Sequence, residues 1–528
     1  MEIFGRMSRL ILPVILLAAI HSQAGFATDY TSTLNRVPSI YRADVDDVLS
    51  LAAGEWNDCE LIEALNTYPQ NTMKHRAVCF LVANMDKHLY VDYVWSTDPM
   101  NPFSPDDDSD GDWLREYVPD YGTVSADLLI ENVEWAFRAR EDFPWCASLP
   151  ENVFFEYVLP YRSTQEPVHS WRPMLYETLA PMVEGLDNSL DVAEVVNRYN
   201  TEIFHFDPLY YRHPEDRDIP TCLATGVGRC EDMSNLSNYS LRAVGVPTTS
   251  DFTPRWPKGD NNHAWNVVYY DGTWYSFMGC EYSETNTWDS IKSRDFAKVY
   301  RKSFAADPIM GSGPDGTEPP RLMRLTALDV TAEYTSVSDI TVDIFEDPGA
   351  SFLCVYNYGA WQAVAGAWVN DDIVDYTDVG NHGILYCVTR YVENETGWGD
   401  HLAISFPFIL HDDGSFDYLN PCPLSEYEGD ITLSGWNTNA LFQDESTVWL
   451  YRYLGNMDYD PTDPESKPMY WGVIGSGEPS DVDGSLQITF PDAGLPYGLY
   501  ILSDNDNPDD LREGSRPFVW TADGISYH

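Results

Sequence analysis

Basic residues are scarce in this sequence of 528 residues. Lysine and arginine together number 31, against 84 aspartate and glutamate residues, and the formal net charge is −53 at pH 7. A surface with this excess of negative charge repels phosphate groups. The composition therefore argues against nucleic acid as a partner. The simplest interpretation is that the acidic surface keeps the protein soluble. The more specific alternative is that it attracts divalent cations or basic substrates.

Long apolar runs are missing beyond the amino terminus. We find no later stretch of ~20 apolar residues, the length that a membrane-spanning helix needs. The start of the chain differs, because Arg6 and Arg9 precede an apolar run over residues 10–20 and small residues follow at 22–27. This pattern predicts a signal peptide over 1–27, and hence a secreted or periplasmic protein without a stable membrane anchor. A retained membrane anchor is the alternative.

Cysteine is also sparse, with nine residues in the whole chain. This number is too small for a scaffold built from disulfides, and its oddness leaves at least one thiol unpaired if the others pair within the chain. The sequence has no CxxC pair and no HExxH motif, so it predicts neither a structural zinc site nor a zinc-protease site. No cofactor is required by any motif that we find.

Apolar residues, in contrast, are plentiful enough for several hydrophobic cores. The chain is 44% hydrophobic and 14% aromatic, which excludes a disordered protein, and its length exceeds one ordinary domain. Helical spacing of Val45, Val48, Leu49 and Ala52 predicts a mainly helical region at the start of the mature chain. Short alternating runs broken by turn residues predict β-sandwiches towards the carboxyl end.

We therefore predict an α+β fold in five parts. They are a signal peptide at 1–27, a mainly helical region at 28–145, a domain of mixed helices and strands at 146–325, a β-sandwich at 326–425 and a second β-rich domain at 426–528.

One stretch in the mixed region carries a candidate site. Gly228-Arg229-Cys230 precedes a segment with helical periodicity, and His263 lies 33 residues after Cys230, directly before a β-like run over residues 264–270. A helix that begins at a cysteine favours the thiolate and offers backbone N–H groups to an oxyanion. A histidine on a neighbouring strand can take the thiol proton and return it to a leaving group. The pattern therefore predicts Cys230 as a nucleophile and His263 as its base, if they meet in space.

These motifs resemble those of the transglutaminase-like superfamily, which includes transglutaminases, peptide N-glycanases, bacterial proteases and amidases. The matching parts, in the same order as in the superfamily, are Gly228-Arg229-Cys230, Arg242-Ala243-Val244-Gly245-Val246-Pro247, His263-Ala264-Trp265 and Gly272-Thr273-Trp274. The resemblance implies a papain-like core and a thiol enzyme. Such an enzyme would cleave or transfer acyl groups at amide bonds of a peptide, protein or glycoprotein substrate, with hydrolysis favoured.

The third catalytic position departs from the family pattern. An Asp is usual about four residues after the second Trp of the pattern, and Met278 stands there. Glu281 is the next acidic residue, and we predict it as the group that orients His263. An altered triad is the alternative. It leads to a second hypothesis, a catalytically inactive binding or scaffold protein whose β-sandwiches bind carbohydrate or protein.

Aromatic and basic residues around the motif have two interpretations. Trp171, Trp256 and Trp265 are predicted to line a substrate groove, although core packing is the usual role of such residues. Arg162 and Arg172 are scarce cations in an acidic chain, and we expect them to pair with buried carboxylates rather than with a substrate.

An acidic loop adds a possible metal site. Asp106, Asp108 and Asp110 alternate before Gly111, a spacing that can wrap a structural Ca²⁺ ion. The EF-hand pattern requires Glu at the twelfth position, where Tyr117 stands instead. A solvated acidic loop is therefore the preferred interpretation, and calcium the alternative.

Overall fold

The computed structural model describes most of the chain up to residue 419 and shorter stretches beyond it. The described residues are 29–94, 114–212, 216–283, 288–313, 316–346, 348–369, 372–393, 399–419, 431–434, 447–455, 469–482, 485–490, 498–504, 506–507, 511, 515–521 and 524–527. The structure is 35% helical and 32% strand, which confirms the α+β fold class. The predicted signal peptide at 1–27 lies outside the described residues. Among the described residues, no helix is long and apolar enough to cross a membrane.

Two compact units divide the chain. The first comprises Met1–Ser250, Trp265–Trp288 and Ser303–Ala305, and the second comprises Asp251–Ala264, Asp289–Lys302 and Ala306–His528. The described helices of the first unit, after a helical stretch at 29–36, are α1 (Arg42–Gly54), α2 (Asp58–Thr67), α3 (Met73–Ala83), α4 (Ala126–Asp142), α5 (Pro144–Ala147), α6 (Glu151–Tyr157), α7 (Arg172–Leu179), α8 (Ser189–Ile203), α9 (Ile219–Thr225) and α10 (Cys230–Ala243).

Helical periodicity in the sequence corresponds to the buried stripes of these helices. Val45, Val48, Leu49 and Ala52 are the buried residues of α1, as their spacing predicts. The side chain of Ser125 accepts a hydrogen bond from the Leu128 N–H and caps α4. The stripes meet in one continuous apolar core within the first unit.

Short strands complete the part of the chain up to Asp329. A hairpin joins β1 (Leu89–Val94) to β2 (Leu114–Pro119), and β3 (His205–Phe206) pairs in parallel with β4 (Val227–Gly228). A five-stranded sheet has the order β7-β6-β5-β8-β9. Its strands are β5 (Thr248–Thr253), β6 (His263–Tyr270), β7 (Thr273–Phe277), β8 (Tyr300–Lys302) and β9 (Ala327–Asp329).

The second unit is built mainly from antiparallel strands. One pair joins β10 (Val337–Asp343) to β13 (Ile373–Gly380), and a six-stranded sheet has the order β12-β11-β14-β16-β17 with β15 on β14. Its strands are β11 (Ala350–Asn357), β12 (Ala360–Trp368), β14 (Ile384–Glu393), β15 (Gly399–Ala403), β16 (Phe408–Leu410) and β17 (Phe416–Tyr418).

Two further sheets follow in the carboxyl-terminal part. One has the order β18-β22-β21, and the other has the order β20-β19-β23-β24-β25. The strands are β18 (Ile431–Ser434), β19 (Val448–Gly455), β20 (Met469–Gly477), β21 (Pro479–Val482), β22 (Ser485–Phe490), β23 (Gly498–Ser503), β24 (Phe518–Thr521) and β25 (Gly524–Tyr527).

One strand-like run of the sequence is interrupted in the structure. The strand-like run from Ala403 to Leu410 predicts a single strand, whereas β15 ends at Ala403 and β16 begins at Phe408. Pro407 lies in the gap and has no N–H to donate to a ladder. The chain turns there, and the Ser405 side chain accepts the Val388 N–H instead.

Candidate active site

A fixed turn delivers the chain to Cys230, the first residue of α10. Gly226 ends α9 with a left-handed φ of 68°, a conformation that glycine adopts without strain. The Gly226 carbonyl accepts the His205 N–H at 2.9 Å, and the Gly228 carbonyl accepts the Asp207 N–H at 2.8 Å. These bonds hold Gly226 and Gly228 in place before the Arg229-Cys230 step.

A buried ion pair supports the same turn. Asp232, in the first turn of α10, accepts the Arg229 N–H at 3.1 Å, so it caps the helix from inside. Its carboxylate also lies 3.1 Å from an Nη of Arg217, and both side chains are at most 3% exposed. A Cβ atom at Gly228 would lie 2.5 Å from Arg217 Nη2 and 2.7 Å from Asp232 Oδ2. Only glycine fits there, because the ion pair occupies the space of a side chain.

This ion pair was not predicted from the sequence, although the sequence contains a pattern that indicates the role of Asp232. An acidic residue three positions after the residue that precedes a helix is the capping-box spacing, and Arg229 to Asp232 has that spacing. Nothing in the spacing identifies Arg217 as the partner, since it lies in an irregular segment before α9. Burial raises the pKa of the Asp232 carboxyl, and the Arg217 and Arg229 guanidinium groups oppose that rise.

Cys230 itself is a buried residue with a free thiol, 9% exposed. All eight cysteines in the described part of the chain have free thiols, and Cys222 is one of them. A disulfide between Cys222 and Cys230, which their closeness in sequence allows, is therefore absent here. The Cys222 thiol instead lies 3.8 Å from the Arg217 carbonyl, and burial raises its pKa well above the usual value.

His263 begins β6 and lies among residues of the second unit. Its ring is 6.1 Å from the Trp256 ring, centroid to centroid, and nearly parallel to it. The Arg294 guanidinium lies over the Trp256 ring, 5.2 Å from its centroid. Burial, and then the positive charge of Arg294, lower the pKa of His263 to about 4. The imidazole is therefore neutral at pH 7 and able to accept a proton.

The strand that carries His263 is anchored to the helix that begins at Cys230. Asn266 is fully buried, and its side-chain N–H groups donate to the Ser234 carbonyl at 2.9 Å and to the Asn238 side chain at 2.8 Å. Both acceptors belong to α10, within the first unit. Asn266 is thus a structural residue that the sequence did not single out, and it fixes β6 along the helix.

The segment at the predicted third catalytic position is held by its backbone. Asn197 on α8 donates to the Met278 carbonyl at 3.0 Å and accepts the Cys280 N–H at 2.7 Å. Cys280 has a positive φ of 58° and a buried thiol whose pKa burial raises to about 12. Burial also raises the pKa of Glu281, the predicted orienting acid. The role of Glu281 stays a prediction.

The three predicted substrate-binding tryptophans differ in their surroundings. Trp265 is fully buried and Trp171 is 3% exposed, with its indole N–H donating to the Tyr161 carbonyl at 2.8 Å. Core packing therefore accounts for these two, and neither has surface for a groove. Trp256 beside His263 stays a prediction for substrate contact.

The upstream arginines have structural partners, as expected, but not all of the expected kind. Arg162 forms a buried ion pair with Asp120 at 2.6 Å. Arg172 donates to the Asn132 side chain and to backbone carbonyls, among them that of Arg242 at 3.1 Å.

The predicted calcium loop with Asp106, Asp108 and Asp110 lies outside the described residues. Within the described residues, no group of three His, Cys, Asp or Glu side chains could hold a metal ion.

Comparison with known proteins places the motif-bearing segment in a family. The family model of the transglutaminase-like superfamily matches residues 177–278, which include α8, α10, β6 and β7. No curated protein sequence matches the chain.

Several solved structures are similar, each at low identity. A candidate cysteine protease from Cytophaga hutchinsonii is 15% identical over 27% of this chain and 47% of its own, with a TM-score of 0.21. A candidate protease from Parabacteroides distasonis is 10% identical over 62% of this chain and 52% of its own, with a TM-score of 0.22. Red sea bream transglutaminase is 9% identical over 80% and 75% of the two chains, with a TM-score of 0.18. The chain thus spans about half the length of the two bacterial proteins.

The resemblance that the motifs predict is confirmed over the same region. Residues 177–278 form a domain of the transglutaminase-like superfamily.

Proposed function

We propose that this chain is a thiol enzyme in which Cys230 attacks the carbonyl carbon of an amide bond. The observation that carries the proposal is the position of Cys230 at the first residue of α10, after a turn fixed by backbone hydrogen bonds and a buried ion pair. The start of a helix provides N–H groups that stabilise an oxyanion and favour a thiolate.

The reaction follows from the roles of two groups. His263, neutral at pH 7, takes the thiol proton as sulfur bonds to the carbonyl carbon. The C–N bond then breaks, the amine leaves with the proton from the imidazolium, and a thioester remains on Cys230. Water, deprotonated by His263, attacks the thioester carbon, the C–S bond breaks, and the acid is released while the imidazolium returns its proton to the Cys230 sulfur. An amine in place of water would give transamidation, and hydrolysis is the outcome that we favour.

The substrate class in this proposal is a peptide, protein or glycoprotein amide. The amino-terminal pattern adds the proposal that the enzyme is exported to the periplasm or the medium. Glu281 would orient His263 and stabilise its protonated form, in the way that an acid serves the histidine of other triads.

A thiol-labelling experiment tests the proposal with an internal control. Cys59 is exposed and has a free thiol, whereas Cys230 is buried. Accessibility alone therefore favours reaction of iodoacetamide at Cys59. We expect Cys230 to react at least tenfold faster than Cys59, as followed by mass spectrometry of each peptide.

Substitutions assign the reactivity to the site. The variant His263→Ala should remove the excess reactivity of Cys230 and leave that of Cys59 unchanged. Cys230→Ser should abolish hydrolysis of amide substrates in a peptide-library assay, while Cys222→Ser should retain it. If Cys230 reacts more slowly than Cys59 and ignores the His263 substitution, the chain is not a thiol enzyme of this kind.

An inactive binding protein is the second candidate, and one observation favours it. Met278 stands where the family has its acid, and the Asn197 side chain holds the Met278 backbone rather than any carboxylate. In this case the wild type would hydrolyse no amide substrate, and Glu281→Gln would not change the labelling of Cys230. A loss of hydrolysis in Glu281→Gln, with Cys230 labelling retained, would instead support an active triad.

A further inference from the structure

A cavity of about 380 Å³ lies in the second unit, apart from the transglutaminase-like domain. Its walls come from strands β11, β12 and β14, from residues 317–320, and from Glu346 and Pro348. The volume is within the range of small-molecule sites. The residues of the wall combine aromatic rings with charged groups, which is the composition of a specific binding site rather than of a packing defect.

The strand register explains the aromatic part of the wall. Ala350 on β11 lies opposite Trp368 on β12, and Phe352 lies opposite Thr389 on β14. Continued by two residues, this register brings Tyr391 to the level of Ala350, and the Tyr391 ring lies 6.3 Å from the Phe352 ring, centroid to centroid. A row of Trp368, Ala350 and Tyr391 therefore crosses three strands on one face. The small alanine leaves a trough between two aromatic side chains, and the buried Phe352 lies next to it.

Trp368 is held in position for this role. Its indole N–H donates to the Gly311 carbonyl at 3.0 Å, and one edge of the ring is so close to Gly313 that a Cβ there would lie 2.7 Å away. The side chain is only partly buried. A fixed, partly exposed indole can stack on a ligand without a large loss of conformational entropy.

The polar part of the wall is centred on Arg390. Its Nε lies 2.8 Å from Glu346 Oε1, and the two side chains are 17% and 18% exposed. Among the described residues, no hydrogen-bond partner is found for the Nη1 and Nη2 groups of Arg390. A guanidinium group has five N–H donors in a planar fork, so most of this fork is available to a ligand.

Charge limits the class of ligand. The wall holds one guanidinium, that of Arg390, and two carboxylates, those of Glu318 and Glu346, and Glu346 is paired with Arg390. Charges of both signs nearly balance there, so the wall strongly favours neither an anion nor a cation, and the net charge of −53 further opposes an anion. A neutral ligand must then provide an apolar face for Trp368 and Tyr391 and closely spaced oxygen atoms for the fork. A sugar ring has both, since its C–H groups form an apolar face and its vicinal hydroxyl groups match two N–H donors.

We propose that this cavity binds a neutral carbohydrate, one short stretch of a glycan. The ring of one sugar unit stacks in the trough of Trp368, Ala350 and Tyr391, and its hydroxyl groups accept hydrogen bonds from Arg390. The site is independent of the proposed acyl transfer, because no residue of the cavity lies within 177–278. It gives the second unit a function of its own, retention of the chain on glycan-bearing material.

Affinity electrophoresis of the full chain tests the proposal. Native gels containing a neutral polysaccharide (mixed-linkage β-glucan, galactomannan or xylan) should retard the protein in at least one case. Polygalacturonate serves as the anionic probe, and spermine titrated by calorimetry serves as the cationic one. Trp368→Ala should weaken binding at least tenfold, and Trp368→Tyr should retain most of it because an aromatic ring remains. Trp56→Ala, which removes a tryptophan 92% exposed in the first unit, is the matched control and should change nothing.

Arg390→Lys separates the planar fork from its charge and should weaken binding at least fivefold. Thermal unfolding of each variant identifies those that have lost their fold, and Trp368→Tyr remains informative if Trp368→Ala has done so. The proposal fails if no neutral polysaccharide retards the protein, or if folded Trp368→Ala and Arg390→Lys variants bind as the wild type does. It also fails if polygalacturonate or spermine is the only probe that binds.

Discussion

The ion pair between Arg217 and Asp232 should determine the local stability of the turn that precedes Cys230. We consider Asp232→Asn, which keeps the size of the side chain and one acceptor oxygen but removes the charge. The Arg217 guanidinium would then be left in a site where it is 3% exposed, without its counter-ion. Removal of one partner of a buried pair typically costs about 3–5 kcal/mol. The cost should be local, because the pair joins the segment before α9 to the first turn of α10.

Hydrogen exchange followed by mass spectrometry is the appropriate assay. A chain with two compact units is not expected to unfold in one step, so a single unfolding midpoint would not isolate the effect. Peptides that cover residues 226–243 should lose protection equivalent to about 3–5 kcal/mol in Asp232→Asn. Peptides from β19 and β23 in the second unit should exchange at wild-type rates and provide the control.

A double-mutant cycle separates the charge pair from the helix cap. Arg217→Met in the Asp232→Asn background should cost little more than either change alone, because no charge is then left unpaired. Asp232→Ala should cost about 1 kcal/mol more than Asp232→Asn, because asparagine still accepts the Arg229 N–H. Equal protection of 226–243 in the wild type and Asp232→Asn, or strict additivity in the cycle, would refute the assignment of this pair as the support of the turn.

Three further outcomes are expected. Gly228→Ala should destabilise the 226–243 region by about 1–3 kcal/mol in the same exchange assay, because its Cβ would overlap the ion pair. Arg294→Gln should raise the pKa of His263 from about 4, so the acid limb of Cys230 alkylation against pH should move upwards; an unmoved limb would contradict the role of that charge. His88 has a pKa lowered to about 3 by burial and then by the charge of Arg162. The stabilisation by neutral His88 is therefore complete above pH ~6.5, the pKa of an unfolded histidine, and is lost as the pH falls towards 3. The loss amounts to roughly 3–5 kcal/mol. Chemical denaturation of His88→Gln at several pH values should show a free energy of unfolding that depends less on pH in this range.

The sequence was sufficient for features that depend on neighbours along the chain. The helix that begins at Cys230 and the strand that begins near His263 both follow from the spacing of a few residues. The interrupted run at Ala403–Leu410 shows the limit of that reasoning, because its apolar residues predict a strand whether or not Pro407 lacks an N–H.

Partners across the fold could not be predicted, since nothing local encodes them. Arg162 pairs with Asp120, which lies 42 residues before it, whereas nearby Glu166 accepts the Ser163 N–H instead. The same holds for Arg217 and for Asn266, whose partners become neighbours only when α10 packs against other elements. The burial of Trp171 could not be predicted either. The sequence around a tryptophan beside a motif is the same whether its side chain faces a groove or a core.

The two halves of the predicted site depend on different local supports, and this allows them to be tested separately. The thiol depends on the turn that Arg217 and Asp232 hold, while the ring of His263 owes its low pKa to burial and to Arg294. Asp232→Asn should therefore lower the rate of Cys230 alkylation without moving its acid limb, and Arg294→Gln should move the limb without loosening the turn. If both changes act on both quantities, the thiol and the imidazole titrate as a coupled pair, and the apparent pKa values belong to the pair rather than to either residue.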